Sequence, residues 1–203
     1  MRELLTLSFR VFNDTIPKNT DAHFLYSQTP DNEKSVVEAA LYAQERKLTD
    51  KWLIMKTAPI SGYEGFEVFR KSLQEAGIST DNIQGIPSDK DILHTLIESL
   101  AAVGFCKEMG YTSLIVSAAP FQQLRAFMTA VTAAERLYPS LKIYSLAGAP
   151  FPWNEQVVHS QGKTVGTRAS LIAGEIDRIG IYGEKGDLLK VPAVLDYLNR
   201  RDG

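Results

Sequence analysis

Short apolar runs alternate with segments of helical periodicity along this chain, and this alternation constrains the fold more than any other feature. The apolar runs predict five strands, at His23–Tyr26, Trp52–Met55, Ile83–Ile86, Leu114–Val116 and Leu141–Leu146. The segments between them predict helices at Glu33–Lys47, at 66–76, from Ser88 or Asp89 to Met109, and at Phe121–Leu137. Strands separated by helices require crossover connections, so we expect an α/β fold. It is a three-layer sandwich with a mainly parallel sheet of about five strands and helices on both faces.

The C-terminal quarter follows a different pattern. Residues 147–166 are rich in glycine, proline and polar side chains and predict a long loop. Two further helices are expected, at Thr167–Tyr182 and Pro192–Arg200. No segment in the middle of the chain has the composition of a linker. We therefore expect a single α/β domain over residues 1–203, with its core at about 20–150 and a C-terminal helical extension at about 165–200.

Charge and composition exclude several classes of function. Lys and Arg number 22 against 24 Asp and Glu, a net charge of −2, which provides no basic surface for nucleic acid or an anionic membrane. The single cysteine, Cys106, cannot form an intrachain disulfide. The first fifteen residues carry Arg2, Glu3 and Arg10 and do not resemble a secretory signal, and no apolar run is long enough for a transmembrane segment. We expect a cytoplasmic protein with a small-molecule partner and no nucleic-acid partner; its oligomeric state stays open.

The expected sheet predicts where a ligand would bind. In an open parallel sheet, ligands bind beyond the carboxyl ends of the strands, near the point where the strand order reverses. The loops that follow the predicted strands are Ser27–Asn32, Thr57–Gly65, Pro87–Leu93, Ser117–Phe121 and Ala147–Asn154.

The first two of these loops carry hydroxyl groups and glycines. Ser27 opens the first loop, and the second contains Thr57, Ser61, Gly62 and Tyr63 before a helix begins. Glycines and a helix N-terminus allow close approach of a phosphate, but no complete phosphate-loop motif is present. A flexible turn with a helix cap is an equally good interpretation.

The third loop leads into a helix that carries His94, Thr95 and Glu98 on nearly one face. There the imidazole could act as a base, with the carboxylate orienting it. No third ligand joins them by spacing, so a metal site is not indicated. The alternative interpretation is an exposed i, i+4 pair without a function.

The fourth loop places Ser117 at a strand end, with Gln122 and Arg125 on the next helix. A guanidinium in the first turns of that helix can hold a carboxylate or phosphate, although a surface salt bridge is the more usual role of a single arginine. No GxSxG motif surrounds Ser117, so a serine hydrolase is not indicated. His23 and His159 have no neighbours in the sequence that support a chemical role.

Five short motifs at these loops resemble, in their order, a bacterial family that includes YdcF-like and SanA/ElyC-like proteins, a domain of unknown function. They extend from Asp21 to about Gly148: Asp21-Ala22 before the first strand, Ser61-Gly62-Tyr63-Glu64-Gly65, the LQEAGI segment from Leu73 to Ile78, His94-Thr95-x-x-Glu98, and Ser117-x-x-x-Phe121-x-x-x-Arg125-Ala126.

The resemblance implies a Rossmann-like fold and binding of S-adenosylmethionine, with other branches linked to cell-envelope metabolism. It assigns ligand-binding roles to Thr95, Glu98, Ser117 and Arg125. This chain departs from the family pattern at Gln122, where a histidine is usual. Glutamine cannot exchange a proton near neutral pH, so acid–base chemistry at this position is in doubt. The glycine-rich first loop of the family is also missing.

Three hypotheses follow. The leading one is a protein that binds a nucleotide-like ligand, with S-adenosylmethionine as the first candidate. In this hypothesis Arg125 and the helix N-termini near Gly65 and Asp89 hold the negative group of the ligand. Glu98 accepts a hydrogen bond from a hydroxyl or an amine of the ligand. The second is a hydrolase or transferase acting on a phosphate-containing, cell-envelope-related substrate, with His94 and Glu98 as the acid–base pair. The third is a non-catalytic interaction protein, which predicts a large exposed apolar patch and no cluster of polar groups at the strand ends. The first two require Glu98 and Arg125 to line a common cavity.

Overall fold

The structure is a computed structural model that describes residues 2–159 and 161–203. The helices are α1 (Arg2–Phe12), α2 (Pro30–Glu45), α3 (Phe66–Glu75), α4 (Thr95–Met109), α5 (Pro120–Leu137), α6 (Arg168–Lys185) and α7 (Val191–Asp202). The strands are β1 (Ala22–Leu25), β2 (Trp52–Lys56), β3 (Ile83–Pro87), β4 (Ser113–Ser117), β5 (Lys142–Ser145), β6 (Gln156–His159) and β7 (Thr164–Thr167). A short 3₁₀ turn at Thr80–Asn82 precedes β3.

The central sheet is parallel, with the strand order β3-β2-β1-β4-β5, which confirms the predicted α/β sandwich. Its middle strands are continuous apolar runs because helices cover both faces: all residues of β1 are buried, and Leu53, Ile54 and Met55 of β2 are fully buried. The strand order reverses between β1 and β4, where His23 pairs with Ile115. The predicted site should therefore lie at the carboxyl ends of these two strands.

The helices form two layers. Helices α2 and α3, which connect β1, β2 and β3, contact each other, and α4 contacts α5. Since crossovers between parallel strands are right-handed, the reversal of strand order places the two pairs on opposite faces. The predicted C-terminal extension is confirmed as α6 and α7, which pack on α5.

The predicted start of α4 is wrong. Neither Ser88 nor Asp89 caps this helix; His94 does, and α4 begins at Thr95. The hydroxyl of Ser88 instead accepts the N–H of Lys90 in a local turn (3.3 Å). Buried Leu93 ties the following chain to the loop after β2 by donating its N–H to the Ser61 hydroxyl (3.0 Å). Serine hydroxyls thus accept backbone N–H groups in this segment and stabilise turns, where periodicity alone favoured a helix.

The predicted long loop at 147–166 is also wrong, because it contains most of the antiparallel hairpin β6–β7. The hairpin is anchored on the start of α2: the carbonyl of Val158 accepts from Thr29 Oγ1 (2.7 Å), and its N–H donates to Asp31 Oδ2 (2.8 Å). Four-residue strands stabilised by such distant contacts leave little periodicity in the sequence.

Helix α1 was not predicted. Its buried face, Leu7 and Val11, packs against α5 and α7. An ion pair closes this side of the molecule: the Arg201 guanidinium of α7 donates to both oxygens of Asp14 (2.8 and 2.5 Å). Among residues 2–203 apart from 160, no helix is long and apolar enough to cross a membrane.

Candidate functional site

A cavity of about 250 Å³ opens at the carboxyl ends of β1, β2 and β3 and at the start of α5. Both Glu98 and Arg125 line it, so the two residues on which the leading hypotheses depend lie in one cavity. Its other lining residues are Ser27, Gln28, Thr29, Ser61, Tyr63, Leu93, His94, Thr95, Leu96, Gln122, Thr129, His159, Gln161, Arg178, Tyr182, Asp187 and Leu188.

Glu98 is a buried carboxyl on α4, only 4% exposed. Its Oε2 accepts the backbone N–H of Ser27, just after β1 (2.8 Å). Burial disfavours the charged form and raises the pKa of Glu98 to about 7, although the Ser27 N–H and the Arg125 charge oppose that shift. Near neutral pH this carboxyl can therefore either donate or accept a proton within the cavity.

Arg125 is held on two sides of its guanidinium. Its Nε donates to Glu175 Oε2 (2.6 Å), and its Nη1 donates to Thr95 Oγ1 (3.0 Å). Within the described part of the chain no protein acceptor is recorded for Nη2. The predicted alternative, a surface salt bridge, does not apply, because Arg125 is 7% exposed and its partner 3%.

Glu175 connects three cavity residues. Besides Arg125, its carboxylate accepts from His159 Nε2 (3.1 Å) and from Arg178 Nη1. Burial alone would favour the neutral acid, but the Arg125 charge and the hydrogen bonds from His159 and Arg125 lower the pKa of Glu175 to about 2. An ionised, buried carboxylate therefore lies behind the cavity lining and holds these three lining residues.

His94 lies at the cavity rim and is exposed. Its Nδ1 accepts the N–H of Ile97 (3.4 Å), which makes it the N-cap of α4. The predicted arrangement in which Glu98 orients this imidazole is not what the structure shows, because the Glu98 carboxylate bonds the Ser27 N–H instead. Although His94 is exposed at the rim, the neighbouring protein removes part of its hydration. This desolvation, followed by the Arg125 charge, lowers the pKa of His94 below its usual value.

Gln122 belongs to a hydrogen-bond network in the cavity lining. Its Oε1 accepts from Gln28 Nε2 (3.2 Å), and its Nε2 donates to Thr95 Oγ1 (3.4 Å). Thr95 thus receives hydrogen bonds from both Gln122 and Arg125. At this position the glutamine side chain therefore supplies one hydrogen-bond acceptor and one donor.

The loop after β2 contributes two of its predicted residues. Ser61 and Tyr63 line the cavity, and the Tyr63 hydroxyl donates to the carbonyl of Met55 (3.2 Å). Gly62 is outside the lining and has a different role. Its backbone has a φ of +81°, which residues other than glycine rarely adopt. A Cβ at this position would also come within 2.9 Å of the backbone nitrogen of Gly162, where the β6–β7 hairpin meets this loop.

Two other predicted residues lie away from the cavity lining. The Ser117 hydroxyl is buried next to the sheet, 2.6 Å from His23 Nε2 of the neighbouring strand β1. It also donates to the carbonyl of Leu146. Ser117 thus faces the fully buried His23, whose pKa burial lowers to about 3. Thr57 binds the start of α3 through its carbonyl, which accepts the N–H of Phe66 (2.9 Å). Both residues stabilise the fold at the strand ends.

The N-terminus of α4 reaches the cavity at Thr95 and Leu96. Gly65 and Asp89, which were expected to place helix N-termini at the ligand, are outside the lining. The N–H groups of Ile97 and Glu98 bond to His94, which leaves those of Thr95 and Leu96 without partners inside the helix.

Sequence reasoning missed the residues that the C-terminal part brings to the cavity, His159, Gln161, Arg178, Tyr182, Asp187 and Leu188. It also missed Glu175, which bonds His159 from behind the lining. A signal was present in the spacing of Glu175, Arg178 and Tyr182, which places all three near one face of a helix. The hairpin position of His159 had no such signal, because its partner strand and its anchor on α2 are set by tertiary contacts.

No group of three or more His, Cys, Asp or Glu side chains within residues 2–159 and 161–203 is arranged to hold a metal ion. The residues around the cavity instead combine a buried guanidinium, the N-terminus of α4, a carboxyl with a raised pKa and two imidazoles. Compared with known proteins, the chain matches no family model, and no curated protein matches it significantly.

Proposed function

We propose that this protein binds a nucleotide-like small molecule with an anionic group in this cavity, and that S-adenosylmethionine is the first candidate ligand. The observation that carries the proposal is that Arg125, the N-terminus of α4 and Glu98 line one cavity. Its volume of about 250 Å³ is slightly below the range of about 300–1,000 Å³ that is usual for small-molecule sites.

The anionic group would be held at the wall formed by Arg125 and α4. Nη2 of Arg125 and the N–H groups of Thr95 and Leu96 are donors of the kind that bind carboxylates and phosphates. Glu98 is the acceptor for a hydroxyl or an amine. The motif resemblance to S-adenosylmethionine-binding proteins is a second reason to begin with this ligand.

The test is calorimetric titration of the folded protein with S-adenosylmethionine, S-adenosylhomocysteine, ATP, AMP and adenosine. We expect binding of at least one adenosyl ligand and about a tenfold weaker affinity for the Glu98→Gln variant at pH 8, a loss of about 1.4 kcal/mol. The matched control is Glu108→Gln, an exposed position on the same helix, which should not change the affinity. The absence of heat from every ligand, with a folded protein, would contradict the proposal.

A hydrolase or transferase acting on a phosphate-containing, cell-envelope-related substrate is the second candidate. One observation favours it: the pKa of Glu98 is about 7, which suits a general acid near neutral pH. The neutral carboxyl of Glu98 would donate its proton to the leaving oxygen. His94, at the rim, would act as a separate base through Nε2, because its Nδ1 already serves as the helix cap.

Turnover of a panel of phosphate mono- and diesters tests this second candidate. General acid catalysis contributes about 10²–10⁴-fold, so Glu98→Gln should reduce kcat by that factor while the protein stays folded. His94→Ala should also abolish turnover, and unchanged turnover in that variant would exclude His94 from the reaction. A full panel without any turnover by the wild type would count against the enzyme.

A further inference from the structure

His159 and Arg125 are held by the same carboxylate. Glu175 reaches Arg125 Nε through one oxygen (2.6 Å) and His159 Nε2 through the other (3.1 Å). All three side chains are buried, with exposed fractions of 7%, 3% and 6% for Arg125, Glu175 and His159. The ring of His159 is further fixed by an edge-to-face contact with Phe121, at a centroid distance of 4.9 Å.

An ionised carboxylate can only accept hydrogen bonds, and an arginine can only donate them. With Arg125 and Arg178 already donating to Glu175, the nitrogen of His159 that faces this carboxylate has to carry the hydrogen. The neutral imidazole therefore carries its hydrogen on Nε2 and a lone pair on Nδ1. No bond from Nδ1 to another side chain is recorded among the described residues, and His159 lines the cavity.

We infer that Glu175 is a positioning residue that fixes His159 in the Nε2–H tautomer beside Arg125, so that the cavity offers an imidazole acceptor next to guanidinium donors. This pairing fits an α-amino-acid group, whose carboxylate would bind Arg125 and whose ammonium would donate to His159 Nδ1. The ligand assignment rests on the proposed binding function; the tautomer does not.

Nuclear magnetic resonance of the imidazole nitrogens tests the tautomer without any ligand. At alkaline pH the wild-type protein should show His159 with hydrogen on Nε2. In Glu175→Gln, the single amide oxygen should stay with the buried Arg125, in the place of Oε2, and the amide nitrogen should take the place of Oε1 and face His159. The partly exposed Arg178 then loses its acceptor at that position. The ring should then change to the Nδ1–H tautomer. Hydrogen on Nδ1 in the wild type, or an unchanged tautomer in folded Glu175→Gln, would overturn the positioning role.

Titration with two related ligands tests the amino-acid assignment. S-Adenosylhomocysteine carries the amino-acid group, and methylthioadenosine lacks it. Glu175→Gln should weaken binding of the first about tenfold and leave the second within twofold. His159→Phe, which keeps an aromatic ring against Phe121, should show the same selectivity if Glu175→Gln does not fold.

The matched control is Glu135→Gln, the same chemical change at an ion pair with Arg200 outside the cavity lining. It should affect neither the tautomer nor either affinity. Equal weakening of both ligands would overturn the amino-acid assignment. If neither ligand binds the wild type, the proposed adenosyl ligand and the amino-acid assignment both fail, and the tautomer measurement still decides the role of Glu175.

Discussion

Replacing Arg201 by methionine is expected to lower the free energy of unfolding by about 3–5 kcal/mol, the usual effect of removing one partner of a buried ion pair. The side chains of Arg201 and Asp14 are only 3% and 4% exposed. Arg201 also donates to the carbonyl of Ile143 (2.6 Å) and lies 4.6 Å from the ring centre of Tyr144. Its loss leaves the Asp14 carboxylate buried, with the N–H of Ser145 as a remaining donor.

Chemical denaturation of the purified variant measures this effect. The adjacent residue provides the control, because Arg200 is 60% exposed and pairs with the partly exposed Glu135. Arg200→Met should change the free energy of unfolding by less than about 1 kcal/mol, as is typical of surface ion pairs. Similar losses for the two variants would show that the buried contacts of Arg201 contribute nothing beyond those of a surface arginine.

Glu98→Gln is expected to be more stable than the wild type at about pH 8, by up to about 3 kcal/mol, and nearly equal to it at about pH 4.5. The pKa of Glu98 rises from 4.5 to about 7 because burial disfavours the carboxylate. Between these values the folded protein holds a proton that the unfolded chain has lost. The contribution of Glu98 to the free energy of unfolding is therefore fully present below pH 4.5, and it is lost as the pH rises through about 7. A shift of that size, at about 1.4 kcal/mol per pH unit, gives the expected difference.

Urea denaturation of both proteins across this pH range measures the effect. The pKa of Glu175 is lowered to about 2, but both proteins carry this residue, so its contribution largely cancels in the difference. The pKa of His94 is also shifted, but both proteins carry that residue, so its contribution largely cancels in the difference. Glu108→Gln, exposed on the same helix, should give a difference independent of pH. A constant difference for Glu98→Gln would mean that Glu98 titrates as an ordinary carboxyl.

Predictions from the sequence succeeded where burial imposes a pattern. The apolar runs of β1, β2 and β4 are continuous because helices cover the sheet on both sides, and such runs are visible without coordinates. The rule that ligands bind at strand ends then selected loops whose residues Ser27, Ser61 and Leu93 do line the cavity. The same rule does not place Ser117 in the cavity. This residue ends β4, but its hydroxyl contacts the buried His23 of the neighbouring strand β1 instead.

The sequence by itself determined the parallel sheet and its helical layers, because a strand buried on both faces requires a continuous apolar run and a helix with one buried face requires a periodic one. It also indicated two of the central cavity residues, Glu98 and Arg125, because ligands bind at the carboxyl ends of such strands. Tertiary structure alone decided how these residues are used. The partner of Arg125 is Glu175, 50 residues away along the chain, and His159 reaches the same carboxylate from a hairpin that is anchored on α2. Burial of Glu98 depends on the loop after β1 and on the helices that surround it. Contacts between distant segments leave no period in a sequence, so only the folded chain shows them.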